Sequence, residues 1–516
     1  MAQGTFLRPI RNKFIEDFIE DVGNTATSYF VTFGKFDAWP TVYASNGSII
    51  SDDNNPPTTN TSLKVSTYDV YRNMLYGKQI NETNVAYVIR RIDWAANTVY
   101  DYFDDEDPDL FTKNFYVMNS SKRVYKCLFN NYGAPSTVEP QDFNPNGDFV
   151  TLPDGYKWKY MYTVSSQQFT NFGSTDYIPV YDDVNVKNFA SNGAIHVVVI
   201  DNAGANYPYA NGTVVSQISP TVVKINPVGA DSISGIYKDS SFYVYSGSGN
   251  NFISTISDYV VNSTGNFITT SKIAPFLDST SYYKIGPSVV FTGDGTDCEA
   301  FAYVEPIANS ISRVDVVNQG QNYTYATVGF VANSAALGTG GGATGRAIIS
   351  PQRGHGYDTI TELGCDTSVI SAEVKDPIDL LPSWATYRQI ALLYNPIATA
   401  NGSVYLDTFF KQYTTLSTPY FAGLFPTGAT VTGLSSGATG TVIYADQANV
   451  YLTAVNGNFS QNETIYESLF GTTNIASSIN TNELAPYSGE IFYYKNIEPI
   501  LRYSGSREQI KIYFKV

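Results

Sequence analysis

Histidine and cysteine are scarce in this sequence, at two and three residues in 516. Cys127, Cys298 and Cys365 are odd in number, far apart, and without a C-x-x-C pair. That spacing argues against a secreted disulfide framework and for a reducing compartment. With neither a His pair nor a Cys pair in sequence, zinc and iron sites are not expected, and no other cofactor is implied. No stretch approaches the roughly 18 uninterrupted apolar residues of a membrane-spanning helix. The opening Met1-Ala2-Gln3-Gly4-Thr5 lacks a charged region followed by an apolar run, which predicts no signal peptide and synthesis in a cytoplasm. Basic residues are outnumbered 31 to 47, the formal net charge is −16, and Lys and Arg form no cluster. Such a field repels phosphate, so nucleic acid is not an expected partner; basic protein surfaces are.

What is abundant is aromatic and small polar. Hydrophobic residues make up 43%, with 41 Tyr and 30 Phe, while charged residues reach only 15%. Aromatics set among Asn, Ser, Thr and Gly favour pleated, half-buried surfaces joined by turns. The expected class is mainly β with a few helices, an α+β core carrying sandwich- or roll-like modules. The length allows three or four domains.

Two helices are expected near the start. From Arg11 to Val22, Phe14, Ile15, Phe18, Ile19 and Val22 recur at helical spacing, Glu16, Asp17, Glu20 and Asp21 face away, and Gly23 stops the helix. This helix packs on its own domain or docks on a partner subunit. A second is predicted over Tyr68–Tyr76, capped by Ser66 or Thr67 and stopped by Gly77. Between them Ser45–Ser62 reads as an exposed polar loop. Further on, the turn Pro153-Asp154-Gly155 feeds a strand in which Lys157 and Lys159 alternate with Tyr156, Trp158 and Tyr160, so the aromatics share one face. At the far end, Ile510, Ile512 and Phe514 alternate with Gln509, Lys511 and Tyr513, the pattern of a half-buried strand.

The middle contains an internal repeat. Ile195–Tyr209 and Ile311–Tyr325 match at Ile195/Ile311, Val198/Val314, Asn202/Asn318, Gly204/Gly320 and Asn206-Tyr207/Asn322-Tyr323. Each unit reads as a strand, an Asn/Gly turn, and an aromatic able to close over the turn. Gly-Ala-Thr-Gly occurs at 342–345 and again at 437–440; the latter lies within Gly428–Ile465, which reads as a small barrel or roll.

Signals for chemistry are weak. His196 sits in a strand and reads as a strand side chain. His355 lies in Arg353-Gly354-His355-Gly356-Tyr357, which reads as an exposed turn. The acidic run Asp101–Asp109 lacks the spacing of a calcium loop. It is open to three readings: a solvated loop, a calcium or magnesium site, or a patch for a basic partner. Gly293-Asp294-Gly295-Thr296-Asp297 is a weaker instance of the same kind. The run Gly338–Arg346 lacks the Gly-Lys-Ser/Thr ending of a phosphate loop and reads as a hairpin tip. Catalytic carboxylates could hide among so many acids, but no motif points to them. No catalytic residue is assigned.

Six segments together resemble the dimeric baseplate wedge subunit of T-even-type contractile-tail bacteriophages. They are Val31-Thr32-Phe33-Gly34-Lys35 with Trp39, Arg90-Arg91-Ile92-Asp93-Trp94, Val124-Tyr125-Lys126-Cys127-Leu128, Pro153 to Tyr160, Tyr387-Arg388-Gln389-Ile390 to Asn395-Pro396, and Ser488-Gly489-Glu490-Ile491 onward to Val516. The likeness covers about half the chain. It implies a family core over 1–186, 375–417 and 483–516, interrupted by a β-rich insertion at 187–374 and a smaller β module at 418–482. It also implies a structural virion protein rather than an enzyme, placed in the tail baseplate. The expected partners are a second copy of itself and other baseplate wedge proteins, with tail fibre proteins reached through the insertions. A tail-associated glycan- or receptor-binding protein is the alternative. Trp39, Trp94, Trp158 and Arg388 are interface candidates by residue type, each also readable as a core or turn-fixing residue.

Overall fold

The structure is a computed structural model that describes residues 8–59, 63–147, 149–333, 340–376, 378–379 and 381–515. Expectations placed on Met1–Thr5, Asn60–Ser62, Gly338, Thr339 and Val516 lie outside those residues. The chain is mainly β with few helices. It divides into two compact units, one made of Met1–Val88, Thr170–Gly173 and Asp366–Val516, the other of Ile89–Phe169 and Ser174–Cys365.

The first unit is organised by a five-stranded sheet in the order Phe409–Lys411, Met74–Ile80, Tyr29–Gly34, Tyr387–Tyr394, Glu490–Ile500. Its central pair is antiparallel, with Phe30 opposite Leu393 and Val31 opposite Leu392. Both faces of this pair are apolar. Val31, Phe33, Ile390 and Leu392 join one core, and Phe30, Ala391, Leu393 and Phe410 join another. Alternating side chains must point to opposite faces of a strand, so a pair with apolar residues on both faces needs cover on both sides.

One cover is the helix Arg8–Val22, which buries Ile15 and Val22. Phe18 packs edge-on against Tyr29 at 5.6 Å and Phe514 at 5.7 Å. Phe14 does not join the buried stripe and stays 47% exposed. The Gly23 amide donates to the carbonyls of Ile19 and Glu20, closing the helix where expected. The second helix differs from the sequence reading. It runs Leu63–Asn73, and Met74–Ile80 is already strand. Gly77 therefore stops no helix. A Cβ there would lie 2.1 Å from the Phe410 ring, so the glycine makes room for that ring on the neighbouring strand.

A second antiparallel array in this unit pairs Thr367–Lys375 with Val85–Val88 and with the C-terminal strand Arg507–Lys515. Ile512 is 4% exposed. The opposite face of that last strand is also tied down: Lys511 Nζ donates to Gly173 O at 2.6 Å and Tyr513 OH to Phe172 O at 3.1 Å. A seven-stranded roll occupies Thr414–Asn480, around Leu416, Val431, Val442, Val450, Leu452 and Ile465. Its end strands, Thr473–Ala476 and Ser478–Asn480, are separated by Ser477 alone. One bent strand thus joins the two ends of the sheet, and the Ser477 amide and hydroxyl both donate to Ser417 O.

In the second unit, Tyr116–Met118, Arg123–Asn130, Tyr156–Thr163 and Val150–Thr151 form a four-stranded sheet. A larger sheet contains a closed ring. Tyr282–Gly293 pairs with Ala210–Ser219 and with Ser240–Ser246, and Val222–Ile225, Gly265–Thr270 and Ile253–Asn262 complete a six-stranded barrel. Phe242, Tyr259, Ile268 and Tyr283 are fully buried in its core. Closure leaves no free edge on these strands.

The repeat takes the conformation its sequence suggests. Gly204 and Gly320 both have φ of +62°, and Asn206 and Asn322 have φ of +60° and +63°. Asn202 and Asn318 accept from the amides of Gly204 and Gly320. Tyr207 and Tyr323 fold back over their glycines, where a Cβ would stand 2.7 and 2.9 Å from the ring. The two units share one core. By contrast, the glycine-rich run is no hairpin tip from Gly341 onward: Gly341–Ile349 is a strand antiparallel to Ile195–Ala205. At Gly345 only glycine fits, since a Cβ would lie 2.5 Å from the Val199 carbonyl oxygen.

The C-terminal strand is integral to the first unit. Ile512→Ala should lower stability by about 2–4 kcal/mol in urea unfolding, and deleting residues 509–516 should lower the melting temperature. A truncated protein that melts with the full chain would contradict this.

Candidate functional site

Two places gather functional side chains, one in each unit. In the first, the bend after Tyr29–Gly34 brings Trp39 to the polar loop. Arg388, from the strand Tyr387–Tyr394, points into that loop. Its Nε donates to Asp53 Oδ1 at 2.8 Å and Nη2 to Asp53 Oδ2 at 2.9 Å, while Nη1 donates to the Phe36 carbonyl at 2.6 Å. The Trp39 amide also donates to Asp53 Oδ1, and its Nε1 to Ile497 O. The Arg388 guanidinium holds the Asp53 carboxyl below its usual range. Arg388 is 8% exposed and fixes the loop. Trp39 is half-buried and lines an open groove of about 850 Å³ with Lys35, Asp37, Arg72, Asn73 and Asn496.

Trp94 and Trp158 belong to the second unit. Trp94 is half-buried, with Nε1 donating to Ser136 Oγ at 3.1 Å. Trp158 is fully buried and stacked on Tyr156 at 5.5 Å and 15°, so it offers no surface to a partner. Of the four interface candidates, Trp39 and Trp94 keep accessible surface.

The second place was not legible in the sequence. Lys126 and Lys159 face each other across the strands Arg123–Asn130 and Tyr156–Thr163. Together with Lys157 they make a lysine-bearing face that is buried like the aromatic one. Lys159 Nζ donates to Gly147 O at 2.7 Å, and Lys157 lies over the Phe149 ring at 5.2 Å. The Lys126 side chain is wholly buried, with its amine 4.1 Å from the centre of the Phe103 ring. It contacts both His355 Nδ1 and the Glu362 carboxylate. His355 is itself 4% exposed, which corrects the reading of an exposed turn. The turn folds inward because Gly356 N–H donates to Glu362 Oε2 at 2.6 Å while His355 Nδ1 lies 2.9 Å from Glu362 Oε1. His196 is a buried strand residue, its ring 5.1 Å from that of His355. The fold thus pairs two histidines far apart in sequence.

Burial, with the neighbouring Lys159, pushes the Lys126 amine well below its ordinary value. Burial and the nearby Lys126, His196 and Lys159 push His355 well below its own. Desolvation dominates in both cases, because a charge without water is unfavourable unless fully compensated. The site therefore sets an amine and an imidazole, the charged form of each disfavoured by burial, against a carboxyl group.

Several acidic groups elsewhere have structural partners. Asp104 forms a two-pronged ion pair with Arg346, Asp107 pairs with Lys113, and Asp101 accepts from the Asn114 amide. Asp294 accepts from the Thr324 amide and hydroxyl, which hold its carboxyl down at about 2. Glu463 and Glu467 are buried in the roll. Burial alone would raise both, but backbone amides donating to each carboxylate outweigh it and hold both below the usual range. Among the described residues, no group of three or more His, Cys, Asp or Glu is placed to hold a metal ion. No family model matches the chain, and no curated protein does.

The Arg388–Asp53 pair carries a pH dependence of definite sign. Asp53 is depressed in the folded state, so its contribution is complete above the unfolded value of about 4 and is lost as pH falls through the lower folded value. Asp53→Asn should destabilise the protein at pH 7, with the difference from wild type shrinking as the pH drops below about 4. A difference independent of pH would contradict the pairing.

Proposed function

We propose that this protein is a structural component of a contractile phage tail, most similar to the baseplate wedge subunit, and that it works by assembly rather than catalysis. The observation that carries the reading is where the resembling segments lie. Val31–Lys35, Tyr387–Ile390 and Ser488–Ile491 fall on or beside three adjacent strands of one sheet. Val124–Leu128 and Pro153–Tyr160 fall on two paired strands of another. In Arg90–Trp94, Arg91 closes an ion pair with Asp93 at 2.8 Å. These side chains build frameworks, and Lys35, Trp39, Gln389 and Asn496 also share one open groove. Stiff β modules suit a subunit that must transmit movement as a body. Half-exposed Trp and Tyr supply contact area at modest entropic cost.

A homodimer contacting other wedge proteins follows from the same reading, as does a place in the virion baseplate. A tail-associated glycan-binding protein is the second reading, favoured by one feature, the open groove beside Trp39 with its Asp, Asn and Arg lining.

Light scattering on the purified chain, alone and mixed with candidate tail proteins, separates the two. The wedge reading predicts a particle near twice 56.6 kDa that enters a larger complex. A particle that joins no tail protein but binds polysaccharide would replace it with the glycan reading.

A further inference from the structure

From the geometry around Lys126 we propose that the Lys126 amine and the Glu362 carboxyl group condense to form an intramolecular amide cross-link. The pocket holds each part that the reaction requires. Lys126 is the nucleophile and Glu362 the acyl donor, and both side chains are almost entirely shielded from solvent, at 0% and 2% exposure. The Phe103 ring covers the amine at 4.1 Å. Lys126 Nζ touches Glu362 Oε1 directly, and His355 Nδ1 is within reach of both, touching Nζ and standing 2.9 Å from Oε1. Gly356 N–H donates to the other carboxyl oxygen, Oε2, at 2.6 Å.

The chemistry balances without an added reagent. A buried ammonium–carboxylate pair carries the same protons as a neutral amine beside a carboxylic acid, and the low dielectric favours the neutral form. Nζ attacks Cδ of Glu362 and a C–N bond forms. Charge gathers on Oε2, where the Gly356 amide stabilises it, as a backbone donor does in an oxyanion hole. His355 takes the proton released by the amine and passes it to Oε1, which departs as water. One amide is gained, one water is lost, and nothing is oxidised or reduced. The depressed basicity of Lys126 and His355 suits both roles, since a protonated amine cannot attack and a protonated imidazole cannot accept.

The consequence is topological. The bond would join the strand Arg123–Asn130 to the segment after the β-rich stretch, closing a loop around residues 127–361. Such a link restricts the unfolded chain as a disulfide does, without needing an oxidising compartment.

The test is the intact mass of the full-length protein after denaturation. The cross-linked chain weighs one water less than its sequence, and trypsin releases a branched peptide joining 124–157 to 354–375. Lys126→Arg and Glu362→Ala should each show their full sequence mass. Because the wild-type measurement stands alone, a variant that fails to fold does not blunt it. A wild-type mass equal to that of the sequence, with residues 124–126 released by trypsin as a linear peptide, would overturn the proposal. So would loss of water that persists in Lys126→Arg.

Discussion

The first unit depends on one antiparallel ladder, that between Tyr29–Gly34 and Tyr387–Tyr394. Its partners lie far apart in the chain, so forming it carries a large loop-closure cost that local hairpins avoid. Two excursions leave this framework and return to it. The second compact unit departs after Val88 and, apart from Thr170–Gly173, the chain re-enters at Asp366, next to Thr367, which pairs directly with Val88. The roll begins near Thr415 and ends near Asn480, which pair as well. An excursion whose ends are already adjacent adds little distortion to its host, and for that reason insertions of whole domains are tolerated at such points.

A second constraint is the handling of buried charge. Arg388 is answered by a two-pronged carboxylate and a carbonyl, and Glu463 and Glu467 by backbone amides. Each is a group that would be strongly unfavourable alone in an apolar interior and becomes acceptable when its hydrogen-bonding capacity is met. Lys126 differs. Its neighbours are a second lysine, two aromatic-type rings and one carboxyl group, an environment that suppresses the charge rather than matching it.

The β class, the first helix and the repeat were legible because each rests on local rules. Helical spacing from Ile15 to Val22 and a closing Gly23 need no tertiary information. The Asn-x-Gly turns ending in Tyr207 and Tyr323 need none either. The second helix was misjudged at its end because Gly77 reads equally as a stop signal and as a strand glycine. The distinction lies in Phe410, more than three hundred residues away. Lys157 and Lys159 alternate as solvent-facing residues do, and only the placement of Phe129, Phe149 and Phe103 makes their face an interior one. His355 sits among glycines that suggest an exposed turn, whereas the Gly356–Glu362 hydrogen bond turns it inward. In each case the deciding contact was remote in sequence. The interface candidates show the same limit: residue type selected four, and burial left two with accessible surface.

Hydrogen exchange on the intact chain tests most directly whether the remote ladder organises the first unit. The account predicts that amides of Tyr29–Gly34 and Tyr387–Tyr394 exchange last in that unit and with matched protection, since neither strand can open without the other. Rapid exchange of Tyr29–Gly34 while Tyr387–Tyr394 stays protected would contradict it.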